Sequence, residues 1–71
     1  MKEVEISKEP VELYKILKFE GLAPNGGAAK AAISDGQVLV NGVVETRKRK
    51  QIVSGDIIEF MNEKYKIALE K

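Results

Sequence analysis

The sequence predicts a small α+β domain, two packed helices against a short, mostly antiparallel β-sheet. Three observations predict it. Gly21 to Ile33 reads as the end of one helix, a tight turn and the start of a second, because Gly21 suits a left-handed helix end and Pro24 cannot continue the helix. After residue 36 come short β-rich runs separated by Asn41-Gly42, Ser54-Gly55-Asp56 and Met61-Asn62-Glu63. The length, 71 residues with 44% hydrophobic and 32% charged, suits one folded unit over 1–71.

Residues 3–7 alternate, with Val4 and Ile6 on one side and Glu3, Glu5 and Ser7 on the other, so they predict a strand with one buried face. Pro10 fits the first turn of a helix. Leu13 and Leu17 sit four apart, and Tyr14, Ile16 and Phe19 widen the stripe into a helix over about 11–20. Lys15 and Lys18 are neighbours on its more exposed side. Asn25 is a good cap for a second helix over 26–34, whose face of Ala28, Ala29, Ala31 and Ala32 suits close packing.

Asp35-Gly36 ends that helix. Gln37–Val40 and Val43–Thr46 form a hairpin around Asn41-Gly42, the pair that a type I′ turn favours because both central residues need positive φ. If the following Arg47-Lys48-Arg49-Lys50 is extended, Arg47 and Arg49 point one way and Lys48 and Lys50 the other. Residues 57–60 and 64–69 are two further strands, making four after the helices.

The composition excludes several kinds of chemistry. With no cysteine and no histidine, a disulfide framework, a thiolate metal site and a histidine general base are all out of reach. Neither a metal nor a cofactor is expected. The carboxylates suggest no catalytic pair, since Asp35 and Asp56 each adjoin a glycine and read as turn residues. The chain is therefore not expected to be an enzyme or to take a small-molecule substrate. There is no apolar signal core and no run near the roughly 20 apolar residues of a membrane span, so a cytoplasmic monomer without membrane contact is expected.

Net charge is only +1, but it is unevenly distributed. Lys15 to Lys50 holds seven basic residues and three acidic ones, whereas the two ends together hold five and eight. A locally positive midsection steers a polyanion better than the total suggests. The tip of the second helix adds Gly26 and Gly27, whose N–H groups lie in a first turn without helical acceptors, and Lys30 one turn inside. Gly21 and Gly26 have the spacing of a phosphate-binding loop, yet Gly27-Ala28 stands where such a loop needs Lys and Ser or Thr, which argues against nucleotide hydrolysis. Arg47–Lys50 reads either as a solvated edge that discourages aggregation or as a binding surface.

Leu13, Leu17, Gly21-Leu22-Ala23, Ala29, Ile33, Gly36-Gln37-Val38, Val40-Asn41-Gly42 and Gly55-Asp56-Ile57-Ile58 together resemble the ribosomal-protein S-four-type RNA-binding domain, also called the αL motif. The likeness covers about residues 11–60. It is closer to the small stand-alone YbcJ-like and YaaA-like members, which carry a Glu-x-Arg-basic-Arg run after the hairpin, here Glu45 to Lys50. The resemblance implies a non-catalytic module that binds structured RNA of the ribosomal or transfer class. Larger members usually have Ser-Arg at the start of the second helix, where this chain has Asn25-Gly26. The implied RNA face is Asn25, Gly26, Gly27 and Lys30 with Arg47, Lys48, Arg49 and Lys50, and Lys15 or Lys18 at its margin. The alternative is a protein-interaction module whose basic hairpin edge meets an acidic partner in a ribosome- or RNA-associated complex.

Overall fold

Val4 and Ile6 bury their side chains while Glu3 and Glu5 stay in water, and this alternation makes Lys2–Ile6 the first strand, β1. The computed structural model describes residues 1–70. After β1 come β2 (Val11–Glu12), α1 (Leu13–Phe19), α2 (Gly26–Ser34), β3 (Val38–Val40), β4 (Val43–Val44), β5 (Gln51–Ile52), β6 (Ile57–Phe60) and β7 (Glu63–Leu69). Five strands form one sheet in the order β1-β7-β6-β3-β4, and β2 and β5 form a separate two-stranded ribbon. Within the large sheet only β1 and β7 run parallel, so it is mostly antiparallel as expected.

Both helices end alike. Gly21 (φ 71°) follows α1, with Leu22 N–H donating to the Leu17 carbonyl at 2.9 Å and Gly21 N–H to that of Lys18 at 3.2 Å. Gly36 (φ 78°) follows α2, with Gln37 N–H donating to Ala32 and its own N–H to Ile33. These are Schellman closures, which require a left-handed residue just past the helix. They turn α1 sharply into α2 and α2 into β3. Leu13, Leu17, Ala29 and Ile33 from the helices meet Val38, Ile58 and Ile67 from the sheet in one fully buried core.

Several expectations need correction. The first helix begins at Leu13, not near residue 11, because Val11 and Glu12 pair with Ile52 and Gln51. Pro10 follows a cis peptide bond and leads into that strand rather than into the helix. The return strand of the hairpin stops at Val44, and β5 makes a fifth strand after the helices where four were expected. Phe19 is not part of the stripe: it is 67% exposed, at the last helical position on the far side from Leu13 and Leu17. Ala29 and Ala32 are buried, but Ala31 faces water, so the small face is narrower than four alanines.

The Asn41-Gly42 turn has both residues at positive φ, 53° and 83°, as a type I′ turn requires. Met61 and Asn62 make a second two-residue turn of this sense between β6 and β7 without a glycine. Among the described residues no helix is long and apolar enough to cross a membrane.

Candidate nucleic-acid interface

The tip of α2 is built by Asn25. Its backbone is extended, and its Oδ1 accepts the Ala28 N–H at 2.8 Å. That satisfies one of the donors at the helix start and leaves the Gly26 and Gly27 N–H groups without an acceptor among the described residues. A Cβ at Gly27 would stand 3.3 Å from the capping oxygen, tight enough that the cap would have to yield. A Cβ at Gly26 would stand 3.9 Å from Cδ of Lys18, so the Lys18 stem runs past the mouth of the helix.

The basic run is not extended. Lys50 N–H donates to the Arg47 carbonyl at 3.1 Å, closing a turn over 47–50, so the alternation expected for an extended run does not arise. The turn is fastened to α1, whose N-cap position Glu12 makes no side-chain cap. Leu13 N–H donates to the Lys50 carbonyl at 2.9 Å, and Tyr14 N–H to that of Lys48 at 3.1 Å. The basic turn thus caps α1 through its backbone, and its side chains take no part in the capping bonds.

The four cations of the turn are not equivalent. Arg47 grips Glu45 with two parallel bonds, Nε to Oε2 at 2.9 Å and NH2 to Oε1 at 3.1 Å, and its backbone N–H adds a third at 3.0 Å. These bonds, the side-chain ones foremost, lower the Glu45 pKa from 4.5 to about 2 and raise that of Arg47. Arg49 Nε lies 3.6 Å from Glu12 Oε2, while Lys15 Nζ lies 3.1 Å from Glu12 Oε1. Lys48 and Lys50 have no carboxylate partner among the described residues.

Lys30 Nζ sits 4.7 Å from the centre of the Tyr14 ring, and Tyr14 is the residue bonded to Lys48. The two helices and the basic turn therefore meet around Tyr14, bringing Lys30 towards the turn and Lys18 to the tip of α2. Lys15 shares the Glu12 carboxylate with Arg49 of the turn and also borders a groove beside β1. Sequence reasoning did not single out Tyr14, Glu12 or Glu45 as organisers. Glu45-x-Arg47 and the three-residue spacing of Glu12 and Lys15 were visible signals, whereas nothing local marks the contact of Tyr14 with Lys30.

Comparisons with known proteins bear on the family and the fold. The family model described as S4 domain matches residues 4–68. YbcJ of Escherichia coli (strain K12) is 52% identical over 56 residues, covering 78% of this chain and 80% of YbcJ. A Bacillus subtilis (strain 168) protein named "Probable ribosome maturation protein RlbA" is 32% identical over 56 residues, covering 79% of each. The solution structure of E. coli YbcJ, described as revealing an αL motif involved in RNA-binding, superposes with a TM-score of 0.72 at 43% identity, over 96% of this chain and 87% of that one. A family model spanning nearly the whole chain, with a relative identical at half its aligned positions and alike in fold, makes this chain a YbcJ-like member of the S4-domain family.

Proposed function

We propose that the chain binds structured RNA, of the ribosomal or transfer class, through phosphate and shape contacts. The observation that carries this reading is the backbone attachment of the basic turn to α1, since it sets Lys48 and Lys50 beside the helix pair that presents Lys18, Lys30 and the open donors of α2. Phosphates sit against Asn25, Gly26, Gly27 and Lys30, with Lys18 at the margin. Lys48 and Lys50 track the backbone beside them, and Arg47 and Arg49 contribute where RNA draws them from their carboxylates. Lys15, which shares Glu12 with Arg49, lies at the margin as well. Folded RNA hides its base edges in a deep, narrow groove, so shape and phosphate position dominate recognition.

The S4/YbcJ family is non-catalytic, and the domain acts as a binding module. The ribosomal choice is supported by the ribosome maturation name of the Bacillus relative. The setting is cytoplasmic.

The test is an NMR titration of labelled protein with a folded ribosomal or transfer RNA fragment at low salt and again at higher salt. Shifts at Lys18, Asn25–Lys30 and Lys48–Lys50 that fade with salt are expected. About four phosphate contacts give a log–log salt slope of roughly −3 to −4. A flat salt response, or no shifts at near-millimolar RNA, would sink the reading and turn attention to an acidic protein partner for the same basic turn.

A further inference from the structure

Along α1, next to the basic turn, runs a second surface, opposite in charge. A groove of about 580 Å³ runs between α1 and the outer edge of β1. Ile6, Pro10, Val11, Ile16 and Phe19 supply its apolar lining. Phe19, two-thirds exposed, is a large aromatic ring that the domain's own core does not use. The charged lining is Glu5, Glu12, Glu20 and Glu70 against Lys8 and Lys15. Glu12 is held by Lys15 at 3.1 Å and by Arg49 at 3.6 Å, which leaves Glu20 and Glu70 against Lys8 in the groove, with the Glu5 carboxylate on the other face of β1 at its rim.

The groove also has a backbone edge. β1 is the last strand of the sheet and pairs only with β7. The Ile6 carbonyl accepts the Glu70 N–H at 2.7 Å, so Ile6 turns its backbone groups inward to β7. Successive residues of a strand alternate, so Glu3 and Glu5 direct theirs outward, where no strand pairs with them. An open row of this kind is a template for an added strand.

A second copy of the chain is a poor occupant. Antiparallel pairing of β1 with itself about Val4 sets Glu3 opposite Glu5, and pairing about Glu3 or Glu5 sets each against its own copy. Like charges directly opposite oppose pairing. A basic strand meets the same row favourably.

We propose that this groove and the free edge of β1 dock an extended, basic peptide segment of a partner protein, which adds a strand to β1 and lays one apolar side chain against Phe19. The docked segment lies along α1 next to the basic turn, so the domain holds a protein and a polyanion on adjoining surfaces. The proposal stands independently of the RNA reading.

The test uses the full chain and a synthetic peptide, acetyl-Arg-Val-Lys-Phe-Lys-Val-Arg-amide, with its Glu-for-Lys/Arg counterpart as control. Titration followed by amide shifts and hydrogen exchange should perturb Glu3–Ser7 and Ile16–Glu20 and protect the Glu3 and Glu5 amides, with the basic peptide alone. Phe19→Ala should weaken binding about tenfold, as loss of a central aromatic anchor does, and Glu5→Lys should weaken it too. Both positions are exposed, so each variant should fold; Lys18 Nζ stands 5.4 Å from the centre of the Phe19 ring, so Glu5→Lys is the variant expected to keep the RNA titration unchanged. No shift at millimolar basic peptide, equal shifts with the acidic peptide, or wild-type peptide affinity in Phe19→Ala would each overturn it.

Discussion

The carbonyl oxygen of Lys50 accepts the backbone N–H of Leu13 at 2.9 Å, so a half-buried cationic residue caps, through its backbone, the helix that begins the core. Together with the matching bond from Tyr14 to Lys48, this separates two roles within the same residues. The backbone of the turn supports the fold, and the side chains remain available to a ligand.

Lys48→Ala and Lys50→Ala should therefore leave stability within about 0.5 kcal/mol, as for most surface substitutions, because the capping carbonyls remain. Each should lower the salt slope of RNA binding by about 1. Chemical denaturation and binding across a salt series check both halves. An unchanged slope in both variants would move the phosphate contacts elsewhere.

Arg47 should behave differently, because its guanidinium is already committed to Glu45. The folded pKa of Glu45, about 2, lies below its ordinary 4.5. Whatever stability the pair adds is present above pH 4.5 and is lost as pH falls towards 2. The Arg47 side chain is 72% exposed, so solvent screening keeps the contribution small. The carboxyl resonance of Glu45 should have its midpoint near 2, and Arg47→Ala should return it to the ordinary carboxylate range. With RNA bound, the midpoint reports directly on competition: it rises if a phosphate takes Arg47, and it stays if Arg47 remains the clamp of the turn.

Gly26→Ala separates helix stability from ligand access. Gly26 is the first residue of α2, and a Cβ there meets only the Lys18 stem at ordinary contact distance. The substitution should stabilise the domain by about 0.4–1 kcal/mol through the unfolded chain. It also covers the donors where a phosphate is expected, so RNA binding should weaken while the melting temperature rises. Asn25→Ala gives the opposite balance, losing about 1 kcal/mol with the cap. If Gly26→Ala leaves RNA affinity unchanged, the tip of α2 is not a contact.

The sequence was most legible where one residue dictates the backbone. Gly21, Gly36 and Asn41-Gly42 adopt the positive φ values their turns require, and Asn25 caps α2 as expected. The reading failed where a partner distant in sequence decides the local structure. Val11 and Glu12 look like a first helical turn until Gln51 and Ile52 pair with them. Arg47–Lys50 looks extended until the donors of α1 fold it into a turn. Asn41 and Asp56, each plausible as a simple turn residue, bond to each other at 3.0 Å, and Asn41 Oδ1 also accepts the Ile57 N–H. That joint between the hairpin tip and β6 spans fifteen residues and leaves no local pattern.

Ile52 links the two halves of this picture. It is fully buried although its strand is two residues long, and it pairs with Val11 just before α1. The β2–β5 ribbon thus carries the basic turn and the start of α1 on the same end, at the Glu12–Gln51 pair. Ile52→Val should cost about 0.5–1.5 kcal/mol, which in a domain of this size lowers the melting temperature by several degrees. Because the lost methylene sits under the ribbon, the loosening should be local first. Hydrogen exchange at the Leu13 and Tyr14 amides should accelerate more than at Ile58 or Ile67, whose β6–β7 pairing does not involve the ribbon. RNA binding should weaken although no cation has been removed, since the turn that presents Lys48 and Lys50 is less well held. Uniform acceleration at all four amides would mean instead that ribbon and sheet open as one unit, and the turn would then be no more separable from the core than any sheet strand.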